Sequence, residues 1–311
     1  MELFKPGTKI DFMGHRRPAI VLSMILIAVS LGSLFGRGLN FGIDFTGGTI
    51  VEIGYEKAVE LGQVRNALAD SKFHGAVVQY FGTANDVLIR VPPTEAMNSA
   101  DISSQILDLL RLSGEQVEMR RVEFVGPQVG DELTEDGGLA MVYALLCILV
   151  YVALRFQLRF SAGAVAALVH DVIITIGFFS ITGIEFDLSV LAAILAVIGY
   201  SLNDTIVIFD RIRENFHRMR KATSVEVINA SLNQTLSRTV MTGVTTLLVL
   251  LALNILGGET IHGFSLALIV GVIIGTYSSL YVASPVTLAL GVSYKDLMVV
   301  EKEGARADNR P

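Results

Sequence analysis

The sequence predicts a membrane α-helical protein: six spans, with one small α+β domain inserted outside the bilayer. Three observations predict it. The 311 residues are 52% hydrophobic and only 17% charged, with a mean hydropathy of +0.58, where soluble domains carry about 25% charged residues. Six segments stay apolar over the ~20 residues that cross a bilayer core as a helix. Lys and Arg gather on one side of those segments. The composition excludes an ordinary soluble two-domain protein and a disordered chain, which would be charge-rich and apolar-poor.

The first span covers about 18–36 and follows Arg16 and Arg17. Its apolar run outlasts the core of a signal peptide and no small-residue cleavage site follows, so it reads as a retained signal-anchor. The others cover 137–154, 160–181, 188–209, 239–256 and 263–291. The last is long enough to tilt, and Pro285 is placed to kink it. Lys5 and Lys9 join Arg16 and Arg17 before span one, Arg155 and Arg159 link spans two and three, and Arg211, Arg213, Arg218, Arg220, Lys221 and Arg238 lie between spans four and five. Lys295, Lys302, Arg306 and Arg310 follow span six, whereas the loops 182–187 and 257–262 hold neither Lys nor Arg. This asymmetry predicts that both termini, including the tail 292–311, are cytoplasmic.

Residues 37–136 then form the domain on the opposite side. Thr49–Tyr55, Val77–Phe81, Val87–Val91 and Val117–Val125 read as strands, with a turn over Gly82–Asp86; 57–70 and 99–113 read as helices with apolar stripes. The order β-α-β-β-α-β is that of a ferredoxin-like unit. The formal charge of −6 argues against nucleic acid as a partner, and its distribution is informative. The inserted domain holds 8 Lys and Arg against 16 Asp and Glu, so the acidity belongs to it and the remainder is mildly basic. Between spans four and five, Thr223 and Glu226 stand at capping-box spacing. Val225, Ile228, Leu232 and Leu236 line one face after them, predicting a short amphipathic helix on the membrane surface, with a basic loop as the alternative. The single cysteine, Cys147, sits in an apolar run and reads as a buried, inert thiol; no disulfide, cysteine-built metal site or cofactor is expected.

Charges inside spans are costly and are functional candidates by default. Asp204 lies in span four beside Asn203 in the run Gly199-Tyr200-Ser201-Leu202-Asn203-Asp204, toward the cytoplasmic side of the midplane. Arg238 opens span five at the same end, so the two are placed to pair, with Thr242, Thr245 and Thr246 continuing a polar face. A carboxyl there can take up and release a proton while Arg238 alternates between pairing and solvation; the alternative is plain helix-to-helix hydrogen bonding. His170 and Asp171 sit together in span three, His170 placed to orient Asp171. In span six Ala267, Gly271, Gly275, Ser279 and Ala283 make a small-residue stripe suited to close helix packing.

Four segments carry a resemblance that spans nearly the whole chain. They are Phe41-Gly42-Ile43-Asp44-Phe45-Thr46-Gly47-Gly48, Val125-Gly126-Pro127-Gln128-Val129-Gly130, the run Ile198 to Asn215, and Ser237-Arg238-Thr239 with Thr245-Thr246-Leu247. In this order and topology they resemble the SecD/SecF family of protein-export membrane proteins, its SecF branch, within the RND-type superfamily. The resemblance implies a six-span RND-like half-bundle, with SecD, of larger periplasmic domain, supplying the other half. It also implies a bacterial inner-membrane location with 37–136 periplasmic. It further implies association with the SecYEG channel and its accessory subunits, and use of the proton gradient to promote translocation of unfolded polypeptide, without enzymatic catalysis. The family's proton-coupling pair carries over to Asp204 and Arg238, with Asn203, Ser201, Thr242, His170 and Asp171 as candidate supporting groups. Gly47, Gly48, Gly126 and Gly130 are candidate hinges, ordinary turn glycines being the alternative. Three other functions remain open at this point: an intramembrane aspartyl protease using Asp171 and Asp204, a small-molecule exporter, and a passive scaffold. The Ser-Leu-Asn-Asp context of Asp204 lacks the Gly-x-Gly-Asp of that protease family.

Overall fold

A computed structural model describes residues 9–69, 71–73, 75–93, 99–112 and 116–293. Lys5 and the basic tail residues from Lys295 onward lie outside the described residues. Six helices are long and apolar enough to cross a membrane. They are α1 (Arg16–Arg37), α5 (Pro127–Arg155), α6 (Leu158–Thr182), α7 (Leu188–Arg218), α8 (Ser224–Leu256) and a sixth that runs from α9 (His262–Ser278) through a π-helical turn (Ser279–Ala283) into α10 (Ser284–Ala289). The π turn sits just ahead of Pro285, so the disruption expected at the proline takes the form of a wider turn, as fits a residue that removes one helical hydrogen bond.

The helices are not equivalent. α6, α7 and α9 are largely enclosed, whereas α1, α5 and α8 present most of their apolar surface outward. Phe160, Phe179 and Phe209 anchor the enclosed core with Ala164, Ala167, Ile194 and Ile198. The small-residue stripe of the sixth span is buried as expected, against α7: Gly271 faces the Val197 side chain and Gly275 faces Ser201.

Outside the bundle, the short helix α2 (Ile43–Thr46) leads into the sheet strands β1 (Gly48–Tyr55), β2 (Val77–Phe81), β3 (Thr83–Val91) and β4 (Val117–Val125), with α3 (Leu61–Ala69) and α4 (Ser99–Leu112) on one face. The spatial order β2-β3-β1-β4 with antiparallel neighbours is the ferredoxin-like arrangement. Strand periodicity explains its two cores. Val51, Ile53 and Tyr55 face the helices with Val87, Ile89, Ile102 and Ile106, while Ile50 and Leu88 point the other way and meet Ile43 of α2.

The structure departs from the sequence expectations at four places. The second span begins at Pro127, because Pro127 occupies the first helical turn, where its missing N–H costs nothing. The turn after β2 is tighter than 82–86: Gly82, at φ +75°, lets β3 start at Thr83. The amphipathic stretch after Thr223 is not a separate surface helix. It is the first third of the continuous α8, and its Val227, Ile228 and Leu232 pack on Ile212 and Phe216 of an equally extended α7. Burying that stripe in a helical hairpin competes directly with laying it on lipid. Finally, Cys147 is exposed on the outer face of α5, not buried.

Candidate functional site: buried polar groups in the helical bundle

The site is assembled by the three enclosed helices and by α8. Asp204 lies on α7 and is 4% exposed. Its Oδ1 accepts a hydrogen bond from Thr239 Oγ1 of α8 at 3.4 Å, and its Oδ2 is buried with no hydrogen-bond partner among the described residues. Arg238 is not ion-paired with it. The guanidinium is exposed in a cleft lined by Asp210, Glu214 and Gln234, near enough for its charge to act on Asp204 without contact. Neighbouring helical positions 238 and 239 point about 100° apart, so Thr239 takes the place facing Asp204 and Arg238 is turned to the side. Asn203 is also exposed, one step around α7, while the Thr242 hydroxyl bonds back to the Arg238 and Thr239 carbonyls.

The second cluster is tighter. Asp171, in α6, is 1% exposed; its carboxyl meets His170 Nδ1 at 2.9 Å and accepts from Ser201 Oγ of α7 at 2.5 Å and Ser278 Oγ of α9 at 2.7 Å. His170 and Asp171, adjacent in the sequence, meet through Nδ1 and Oδ1. Ser201 is among the candidate supporting groups, though not with this partner, and Ser278 is not among the candidates. The signal available for Ser278 was its place directly before Ser279 of the buried stripe of small residues. No hydrogen bond joins Asp171 and Asp204 among the described residues, so no shared two-carboxylate centre is formed.

At the far end, the Phe41–Gly48 segment docks the inserted domain. Gly42 N donates to Phe186 O at 2.9 Å and Phe186 N to Asn40 O at 2.8 Å, which ties the segment to the α6–α7 loop. Phe41, Phe45 and Phe186 form an aromatic cluster there. Asp44 Oδ2 accepts from Leu188 N at 3.0 Å at the start of α7. Arg90 of β3 forms an ion pair with Glu185 in the same loop, and burial pushes the Glu185 carboxyl above its ordinary range against the pull of Arg90. Gly47, at φ +67°, approaches the backbone of Pro127, and Gly130 approaches Gly47 N and Phe45 O so closely that a Cβ at either glycine would press on main chain. Of the four candidate hinge glycines, Gly126 has ordinary extended backbone, and a Cβ there would make no more than van der Waals contact with the Phe124 ring.

A multi-pass helical bundle with carboxylates in its interior and an α+β domain strapped to one end has the architecture of a membrane transport component. Comparison with known proteins agrees. The model of the protein-export membrane protein SecD/SecF, C-terminal, matches residues 105–293, and that of the SecD/SecF GG motif matches residues 32–59. The chain is 51% identical over 313 residues to the protein translocase subunit SecF of Vibrio alginolyticus, covering 100% of this chain and 99% of that one. It is 56% identical to that of Magnetococcus marinus, covering 93% and 94% of the two chains. The crystal structure of SecDF, a translocon-associated membrane protein from Thermus thermophilus, superposes with a TM-score of 0.83 at 40% identity over 93% of this chain. This chain spans 39% of the length of that one. SecDF in a super-membrane-facing form matches at the same identity and coverage with a TM-score of 0.69. The chain belongs to the SecD/SecF family of protein-export membrane proteins.

Proposed function

We propose that the chain acts as a SecF-type translocase subunit. Paired with a SecD-type half in the bacterial inner membrane, it uses the proton gradient to promote movement of unfolded polypeptide through the SecYEG channel. Its termini are cytoplasmic and residues 37–136 periplasmic, as the basic residues at one end of the bundle support. The role is mechanical and not enzymatic. The observation that carries the reading is the state of Asp204: a carboxyl enclosed in the bundle, one oxygen without a hydrogen-bond partner among the described residues, with a displaced arginine close by. In a low-dielectric interior such a group needs either a proton or a cation in contact. Protonation with Arg238 turned aside, followed by deprotonation with Arg238 turned in, gives two states that differ by one charge. Moving that charge through the membrane potential is worth about 2.3 kcal/mol per 100 mV.

The exposure of Asn203 and Arg238 on the side of a half-bundle supports a partner half covering them, since polar groups facing lipid are costly. The unequal fit to two SecDF forms at equal coverage supports an arrangement that moves, with Gly126, between β4 and α5, as the place for bending. The test is Asp204→Asn in vesicles reconstituted with the SecD-type partner and channel. Gradient-stimulated translocation should be lost while ATP-driven initiation remains. Stimulation that survives the substitution would refute Asp204 as the coupling group.

A further inference from the structure

The proton-coupling reading does not use the second carboxylate, and that group presents its own charge problem. Asp171 and its neighbour His170 are 1% and 2% exposed. Oδ1 of Asp171 and His170 Nδ1 share a hydrogen bond, and Oδ2 accepts from Ser201 and Ser278. The other imidazole nitrogen, Nε2, is fully enclosed with no hydrogen-bond partner among the described residues. The ring stacks on Tyr277 with centroids 6.0 Å apart, but the Tyr277 hydroxyl is engaged by Ala19 O and Ser23 Oγ.

Among the described residues, the surrounding elements supply no cation in contact with the pair. α7 contributes Asp204, one turn beyond Ser201; α9 and the π turn contribute Tyr277 and Tyr281; α8 contributes Arg238 near Asp204. α1 has no titratable side chain between Arg17 and Arg37, and α5 no charged one between Asp136 and Arg155. A neutral imidazole beside an ionised carboxylate would leave a whole negative charge here, at a cost of several kcal/mol. One added proton cancels it, whether it rests on the imidazole or on the carboxyl.

We propose that His170 and Asp171 form a second proton-binding site, which holds one shared proton in the resting bundle. The site is wired to the first through consecutive residues of one turn. Ser278 bonds Asp171, and Ser279, where α9 becomes π-helical, places its Oγ 3.2 Å from Thr205 Oγ1, adjacent to Asp204. π turns inside helices recur at functional positions. A shift of this turn against α7 changes the Ser278–Asp171 hydrogen bond and the Ser279–Thr205 contact beside Asp204 together. This linkage, unlike the site itself, rests on the proton-coupling reading of Asp204.

The test is spectroscopic, on the full chain in lipid nanodiscs near neutral pH. Nitrogen-15 labelling of histidine, with the His170 signal assigned by its loss in His170→Gln, reports how many ring nitrogens carry protons. Infrared difference spectra, with the Asp171 band assigned by its loss in Asp171→Asn, report the carboxyl. The expected result is one extra proton on the pair: two protonated ring nitrogens, or a protonated carboxyl. Ser278→Ala removes one donor from the carboxylate and should move the proton toward Asp171, strengthening its protonated band. A neutral imidazole beside an ionised Asp171 overturns the proposal. Neither readout requires export, so a failure of Asp204→Asn to affect translocation would sink the earlier reading and leave this site standing.

Discussion

Placing one methyl group on each of two glycines should give effects of opposite sign. Gly271 lies where α9 crosses α7, and a Cβ there would overlap the side chain of Val197. Val197 is fully buried and β-branched, so it has no alternative rotamer to move into. Ordinary carbon contacts are about 3.5–4.0 Å, so the helices must part by something on the order of 1 Å. Overpacking of this kind costs about 1–3 kcal/mol. Replacing glycine by alanine within a helix returns roughly 0.5–1 kcal/mol. Gly271→Ala should therefore be destabilised by about 0–2.5 kcal/mol. Gly199, also on α7, has open space around it, with nothing within 4 Å of the place a Cβ would take, so Gly199→Ala should gain up to about 1 kcal/mol. Reversible unfolding of both variants in mixed micelles against rising dodecyl sulfate measures the difference. If Gly271→Ala proves as stable as Gly199→Ala, the α7–α9 contact is not the close packing described.

Thr223→Ala removes the capping box at the start of α8, where Thr223 Oγ1 accepts from Glu226 N at 3.3 Å and Thr223 N donates to Glu226 Oε2 at 2.8 Å. The expected loss is about 0.5–2 kcal/mol, read as faster hydrogen exchange at the Glu226 and Val227 amides, and unchanged exchange would refute it. For Glu185 the sign follows from its raised carboxyl. A carboxyl that holds its proton more tightly folded than unfolded contributes stability below its unfolded value, and that contribution is lost as pH rises through its folded value. Glu185→Gln should flatten the dependence of melting temperature on pH on the acid side of neutrality; an unaltered slope would show that burial at the Arg90 contact does not govern this group.

The six spans were legible because the bilayer demands long apolar helices whatever their neighbours. The four strands and two helices of the inserted domain were legible because each carries its own period in the sequence: β1 sends Val51 and Ile53 one way and Ile50 the other. Polar residues within spans were also visible, since they stand out against an apolar background. What they touch was not. Counting residues puts Asp204 and Arg238 at a common depth, but rotation about the helix axis decides that Thr239 faces the carboxylate. The same limit applies to Cys147: an apolar run does not say which side of a helix meets the core.

The sequence by itself determined the number of spans, their orientation signal, the order of elements in the inserted domain and the family. All of these follow from local composition and period. Tertiary structure decided whether the stripe after Thr223 would seek lipid or the extended end of α7. It also decided that Ser201 and Ser278, from two different helices, converge on Asp171, and that Gly47 and Gly130 meet backbone to backbone. Those outcomes depend on the rotation and separation of packed helices. Both are set by the shapes of all the facing side chains at once and are written in no single segment.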